Sequence, residues 1–109
     1  MNISLHPPSE DAYLFALNMF RKSNLIEARK LCNNKLSREP RHAPSLHLSG
    51  LINARELKFK EAIRLYKKAI KSDGTVALYY SSMAEALATT GDFVRAKRAF
   101  RRAISLNPE

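Results

Sequence analysis

The side chains that could ligate a metal or act as a nucleophile are few and widely separated in this sequence. His6, His42 and His47 are its three histidines, and Cys32 is its single cysteine. No two histidines stand three or four residues apart, the spacing that brings two imidazoles to one face of a helix. We therefore expect no metal site and no cofactor. A single cysteine cannot form an internal disulfide, which suits a reducing compartment, and we expect a cytoplasmic protein.

The sequence also lacks the motifs of the common catalytic sites. It contains no G-x-G-x-x-G fingerprint, no phosphate-binding Walker loop and no G-x-S-x-G nucleophile turn. Its acidic residues are scattered, and no pair has a spacing that would bring two carboxylates together in a pocket. These features predict that the chain is not an enzyme and has no catalytic residue.

Length and composition indicate one small folded domain. The chain has 109 residues, of which 45% are hydrophobic, and its three Gly and five Pro are too few for a turn-rich β fold. No segment reaches the roughly 20 apolar residues of a membrane-spanning helix, and the first residues lack the pattern of a secretory signal. The formal net charge of +9 favours an acidic partner or an anionic surface.

Similar residues recur every 34 positions along the chain. The recurring sets include Ala16, Gly50 and Ala84; Ala28, Ala62 and Ala96; and Cys32, Tyr66 and Phe100. The resulting repeats are residues 9–42, 43–76 and 77–109, which we expect to form a single domain after a flexible tail at residues 1–8.

Each repeat contains two segments with the apolar spacing of an α-helix, as in the run of Phe59, Ala62 and Tyr66. We predict six helices near residues 10–22, 25–37, 44–56, 59–72, 77–89 and 93–106. Gly91 predicts the turn between the two helices of the third repeat, because glycine tolerates a positive φ. Leu57, at the same place in the second repeat, provides no such signal.

Small residues recur where the two helices of a repeat would cross, and small side chains there permit close approach. The expected crossings pair Ala16 with Ala28, Gly50 with Ala62, and Ala84 with Ala96.

This pattern resembles the tetratricopeptide repeat (TPR), a helix–turn–helix unit of 34 residues. The third repeat matches best, through Tyr80, Met83, Ala84, Gly91, Asp92, Phe93, Ala96, Phe100, Ala103 and Pro108. In the first repeat Cys32 replaces the usual aromatic residue and Lys35 replaces the usual alanine. The resemblance implies an all-α fold, a right-handed α-solenoid of three repeats and six helices. The chain is also similar to the N-terminal TPR segments of bacterial multidomain proteins.

The resemblance implies that the first helix of each repeat lines a concave groove for a protein or peptide. The residues that would face the partner are Tyr13, Leu17, Phe20, Arg21, His47, Leu51, Arg55 and Leu78. An amphipathic helix, or an extended apolar segment with an acid or two, would suit this surface. The alternative is that several of these residues are core between adjacent repeats.

Two groove chemistries of the family are not expected here. Chaperone-tail-binding members hold a peptide carboxylate with cationic and Asn side chains, and some sugar-transferring members hold the peptide backbone with an Asn ladder. The matching positions hold neither residue type: Tyr13, Leu14, Leu17, Leu48, Leu78 and Ser82.

The second helices carry most of the basic residues, among them Arg64, Lys68, Arg98 and Arg102. In this family these helices form the convex face, which we expect to be solvated. Docking on an acidic protein or an anionic membrane is the alternative. Nucleic acid and membrane are not the expected partners, because the aromatic residues belong to the repeat columns and the charge is spread over all three repeats.

The sequence ends directly after the third repeat, so its last helix pair would lack a covering helix. We expect Phe93, Ala99, Phe100 and Ile104 to be partly uncovered. The chain would then be part of a longer protein, or would self-associate through this uncapped end.

These observations predict a non-catalytic scaffold that binds a peptide or an amphipathic helix in a partly apolar concave groove. The alternative is the N-terminal segment of a larger bacterial glycosyl-, methyl- or sulfotransferase, where it would recruit substrate or mediate dimerisation.

Overall fold

The computed structural model describes residues 9–109, with side chains from Ala12 onward, and helices account for all regular structure in that range. The six helices are α1 (Ser9–Arg21), α2 (Leu25–Arg38), α3 (Ala43–Arg55), α4 (Phe59–Ser72), α5 (Ala77–Thr89) and α6 (Phe93–Leu106). Every predicted helix is confirmed, with ends within one residue of the predicted ones. The tail expected at residues 1–8 lies outside the described residues.

The same tight turn joins the two helices of every repeat, although only the third has a glycine. Ser23, Leu57 and Gly91 occupy equivalent positions with φ of 62°, 65° and 89°. The residue after each of them closes the turn, as when Lys58 N–H donates to the Asn53 carbonyl at 2.8 Å. Leu57 therefore adopts a left-handed conformation that its own side chain disfavours, because packing on both sides of the turn determines the path.

Small residues bring the paired helices close together. Those at the expected crossings are all buried: Ala16, Ala28, Gly50, Ala62, Ala84 and Ala96. Gly50 is constrained further, because a Cβ atom there would lie 2.4 Å from Cε1 of Tyr66. The second repeat thus pairs Gly50 with the large ring of Tyr66. At the equivalent positions, the first repeat pairs Ala16 with the smaller Cys32.

The repeats stack into an elongated array with extents of 56, 26 and 24 Å. Helix α1 approaches α3, and α3 approaches α5. Within the described residues, no Cα pair closer than 8 Å joins α2 to α4 or α4 to α6. The first helices therefore line the inner, concave side of an all-α solenoid, and the second helices diverge on the convex side.

Candidate functional site

The inner side of α1 and α3 presents a continuous surface of half-buried apolar side chains. Leu17, Phe20 and Leu51 each keep one side against the buried cluster that contains Ala16 and Ile52. Their other sides remain partly accessible to solvent. This combination gives an apolar surface that a partner can contact without unfolding the array.

A basic residue closes one end of this surface. The guanidinium carbon of Arg55 lies 4.4 Å from the ring centroid of Phe20, a cation–π contact that links α3 to α1. Such a contact contributes about 0.5–1 kcal/mol at an exposed site. Arg21, the last residue of α1, is also exposed. We call Leu17, Phe20, Leu51 and Arg55 the concave patch.

The other predicted groove residues surround the concave patch less closely. Tyr13 is half-buried and packs edge-on against His42, with 5.5 Å between the ring centroids. Burial raises the pKa of Tyr13, so its hydroxyl stays protonated and can donate a hydrogen bond. Leu78, at the start of α5, is 60% exposed. Glu85, one repeat beyond Leu51, is an exposed acid in a column whose other members, Leu17 and Leu51, are apolar.

His47 does not line the groove as predicted, because its side chain is 6% exposed. Its ring lies 5.4 Å from that of Tyr66 and 4.8 Å from that of Tyr79, centroid to centroid. His47 Nε2 and Ser82 Oγ, 2.8 Å apart, form a hydrogen-bonded pair across the second and third repeats. Burial lowers the pKa of His47 to about 4, so the ring is neutral near pH 7. The buried His47–Ser82 pair links the second and third repeats.

Sequence reasoning missed a second exposed apolar area, on the outer edge of α1. Leu14 is 60% exposed and Phe15 is 51% exposed. The equivalent residues of α3, Leu48 and Ser49, lie on the edge that faces the preceding repeat. Because α1 is the first described helix, Leu14 and Phe15 have no preceding repeat among the described residues. A comparison of the repeat columns could have revealed this edge.

The last helix is uncovered on one side, largely as expected. Phe93 is 68% exposed, Phe100 39% and Ile104 60%, and Val94 adds a further exposed apolar residue at 74%. The expectation for Ala99 is wrong, since it is 5% exposed. Ala99 lies on the opposite side of α6, where it faces a groove shared with α4 and α5.

Cys32 and His47, two of the residues that first suggested chemistry, are buried in the core. Cys32 is fully buried, and burial raises the pKa of its thiol to about 12, so it is a poor nucleophile. Among the described residues, no group of three His, Cys, Asp or Glu side chains is arranged to hold a metal ion. None of the helices described has the length and apolar character needed to cross a membrane.

Stacked helix pairs, with the first helices in an inner row and the second helices in an outer row, are characteristic of superhelical repeat proteins. The sequence profile of the tetratricopeptide repeat matches residues 77–109. No curated protein sequence matches the chain.

Solved structures extend the likeness to the whole array. An O-GlcNAc transferase variant from Thermobaculum terrenum superposes with a TM-score of 0.89 at 22% identity, covering 93% of this chain and 19% of the transferase. The TPR2B domain of yeast Sti1, in a complex with pHsp70, gives 0.85 at 25% identity, covering 91% and 79%. The second TPR domain of Spaghetti (RPAP3), bound to the HSP90 peptide SRMEEVD, gives 0.86 at 16% identity, covering 91% and 92%. Residues 77–109 are accordingly a tetratricopeptide repeat, and the six helices are consistent with three tandem repeats of this kind.

Proposed function

We propose that this chain is a non-catalytic interaction module that binds an amphipathic helix or an apolar peptide segment on its concave face. The observation that carries the proposal is the concave patch, in which apolar side chains of two successive first helices remain partly exposed and Arg55 covers the ring of Phe20. A TPR-like array keeps this inner row accessible because its first helices converge while the second helices diverge.

The chemistry of the patch describes the partner. An apolar stripe would cover Leu17, Phe20 and Leu51, and an acidic residue near one end would pair with Arg21 or Arg55. Two structurally similar TPR domains are recorded with Hsp70 or HSP90 ligands, which supports a peptide as the ligand class. The ligand proposed here is internal to its chain, because the carboxylate-clamp positions hold apolar or uncharged side chains.

The test is capture of the partner from a lysate of the source organism by the intact gene product. Leu51→Gln and Tyr13→Gln should each reduce capture by about tenfold or more, since each removes part of the apolar contact. Leu57→Gln is the matched control for Leu51→Gln, because Leu57 is 75% exposed in the turn between α3 and α4 and belongs to none of the buried clusters among the described residues.

Circular dichroism of each variant verifies that the helices remain folded. Capture that survives both the Leu51 and the Tyr13 substitutions would show that the concave assignment is wrong. Equal losses of capture in the Leu51 and Leu57 variants would contradict the assignment as well.

A second candidate function is the non-catalytic segment of a larger transferase. The similarity to a segment of the Thermobaculum enzyme favours it, and the chain spans 19% of that enzyme's length. In this case the concave face would position a protein substrate or a second subunit for a catalytic domain in the same polypeptide. The gene decides between the two: a transferase domain in the same reading frame supports the second candidate, and a stop codon directly after Glu109 removes it.

A further inference from the structure

A separate pocket opens on the convex side, in the groove between α4 and α6. Its volume is about 330 Å³. The floor is apolar and is formed by side chains of α5 and α6: Tyr80, Met83, Leu87 and Ala99. Helix α5 is exposed at the bottom of this groove because α4 and α6 do not approach each other.

One small residue gives this groove an open position that is filled in the preceding groove. Ala99 corresponds, 34 residues earlier, to Leu65. Leu65 is 7% exposed and belongs to the same buried cluster as Leu46, which corresponds to Tyr80. The larger side chain therefore fills the interior at this position in the second repeat. Ala99 leaves the corresponding space empty in the third repeat.

The rim of the pocket is strongly basic. It is formed by Lys67 from α4 and by Arg95, Arg98 and Arg102 from α6. At the corresponding positions of the preceding groove the sequence has two basic residues, one acid and an asparagine: Arg64, Lys68, Glu61 and Asn33. In that groove Glu61 accepts a hydrogen bond from Nε of Arg64 at 2.9 Å, so part of its positive charge is neutralised.

Most of the rim cations form no salt bridge with a described residue. Arg95 donates from Nε to the Asp92 carboxylate at 2.6 Å. Lys67, Arg98 and Arg102 form no salt bridge with any described residue. The Arg102 guanidinium lies 5.9 Å from the ring centroid of Tyr80, which places a cation directly beside the apolar floor.

We propose that this pocket binds an acidic peptide segment that inserts one large apolar side chain between α4 and α6. The cations that form no salt bridge complement the acidic residues, and the apolar floor accommodates the inserted side chain. A cleft between two helices favours an inserted side chain over the flat stacking surface that nucleic acid bases require. The site is independent of the concave patch, which lies on the other side of the array.

A synthetic fluorescein-labelled heptapeptide of Glu and Asp around a central Phe tests the proposal by fluorescence anisotropy with the full chain. Ala99→Leu should fill the pocket, as Leu65 fills its groove, and weaken binding by about tenfold. Lys67→Gln/Arg102→Gln should weaken it by a similar factor. The matched control is Lys97→Gln/Arg101→Gln, which removes the same two residue types from the other side of α6 and should change binding by about twofold or less.

Further measurements distinguish insertion of the peptide into this pocket from peptide binding elsewhere on the chain. They also test whether the pocket binds another class of ligand. The same peptide with Ala in place of Phe should bind about tenfold more weakly. Leu51→Gln should leave binding unchanged, which separates this site from the proposed concave function. Vesicles that contain phosphatidylserine should bind no more tightly to the wild type than to Ala99→Leu. The same should hold for a single-stranded oligonucleotide.

The proposal is overturned if Lys67→Gln/Arg102→Gln and Lys97→Gln/Arg101→Gln lose equal amounts of peptide affinity. Equal losses would show that the peptide is attracted to the convex face as a whole. Equal affinity for the Phe and Ala peptides, or no peptide binding at low salt, would also overturn it. Vesicle or oligonucleotide binding that depends on Ala99 would assign the pocket to that ligand instead.

Discussion

The two interfaces between successive repeats have the same backbone arrangement, but different side chains pack in them. At the first interface Leu48 is buried in a cluster that Tyr13 packs against. At the second interface the corresponding positions hold His47 and Ser82, whose buried polar side chains bond to each other. On the convex side, Leu65 is buried in the first groove, whose pocket lies nearer its end beside Leu46 and Lys68, whereas Ala99 lines the pocket of the second groove.

This comparison separates what the fold requires from what the individual repeat adds. Burial of small residues at the helix crossings is common to all three repeats. The polar pair, the open pocket and the basic rim belong to the second interface. We therefore expect specific binding to depend on residues that depart from the repeat pattern, because the residues shared by the repeats pack in the interior.

Tyr66→Ala should give the largest loss of stability and sharpen the contrast between interfaces. Tyr66 is 1% exposed and packs with Ala86 and Leu87 of the third repeat, so its truncation should cost about 3–5 kcal/mol. Cys32 is its counterpart at the first interface, and Cys32→Ala should cost about 1 kcal/mol. Urea denaturation measures the free energy of unfolding of both variants. Equal losses of stability would contradict the unequal roles assigned to Tyr66 and Cys32.

Exchange of the groove residues should have unequal effects in the two grooves. Leu65→Ala should cost about 2–5 kcal/mol, because it creates a cavity in a filled cluster. Ala99→Leu should change the free energy of unfolding by about 1 kcal/mol or less in the stabilising direction, because the pocket already has space. Strong destabilisation by Ala99→Leu would show that the second groove is closed in solution.

Acid should weaken the second interface more than the first. The pKa of His47 is about 4 in the folded chain and 6.5 as its ordinary value, so the unfolded chain binds the proton first as the pH falls. Stability is therefore retained above about pH 6.5, and from pH 7 to pH 5 it should fall by about 2 kcal/mol on account of this residue.

The double substitution His47→Tyr/Ser82→Leu is the control for this pH effect, because it copies the residues of the first interface. Urea denaturation at the two pH values should show a smaller decrease for the double variant than for the wild type. Identical decreases would mean that His47 does not contribute to the acid sensitivity.

The turns should give the smallest effects, and with opposite signs. Leu57→Gly should stabilise the chain by about 1 kcal/mol, because Leu57 holds a positive φ and is 75% exposed. Gly91→Ala should destabilise it by about 1 kcal/mol at the same φ region. Thermal denaturation of the two variants checks this, and a destabilising Leu57→Gly would show that the exposed leucine packs in solution.

The 34-residue spacing was sufficient to predict the fold, because each column of small and aromatic residues implies one recurring helix crossing. It also predicted the exposed Phe93 and Ile104 at the last helix. The burial of His47 was not predictable from its column, since Tyr13 and Ser81 in the same column are only partly buried. The pocket at Ala99 was missed because the sequence shows a small residue without showing that two neighbouring helices diverge above it.

Hydrogen exchange of the chain alone, and of the chain saturated with the protein that it captures, tests the concave assignment most directly. The account predicts slower amide exchange in the second halves of α1 and α3, where Leu17, Phe20, Leu51 and Arg55 lie, by about tenfold or more. Unchanged exchange in α1 and α3, with protection confined to α4 and α6, would contradict it.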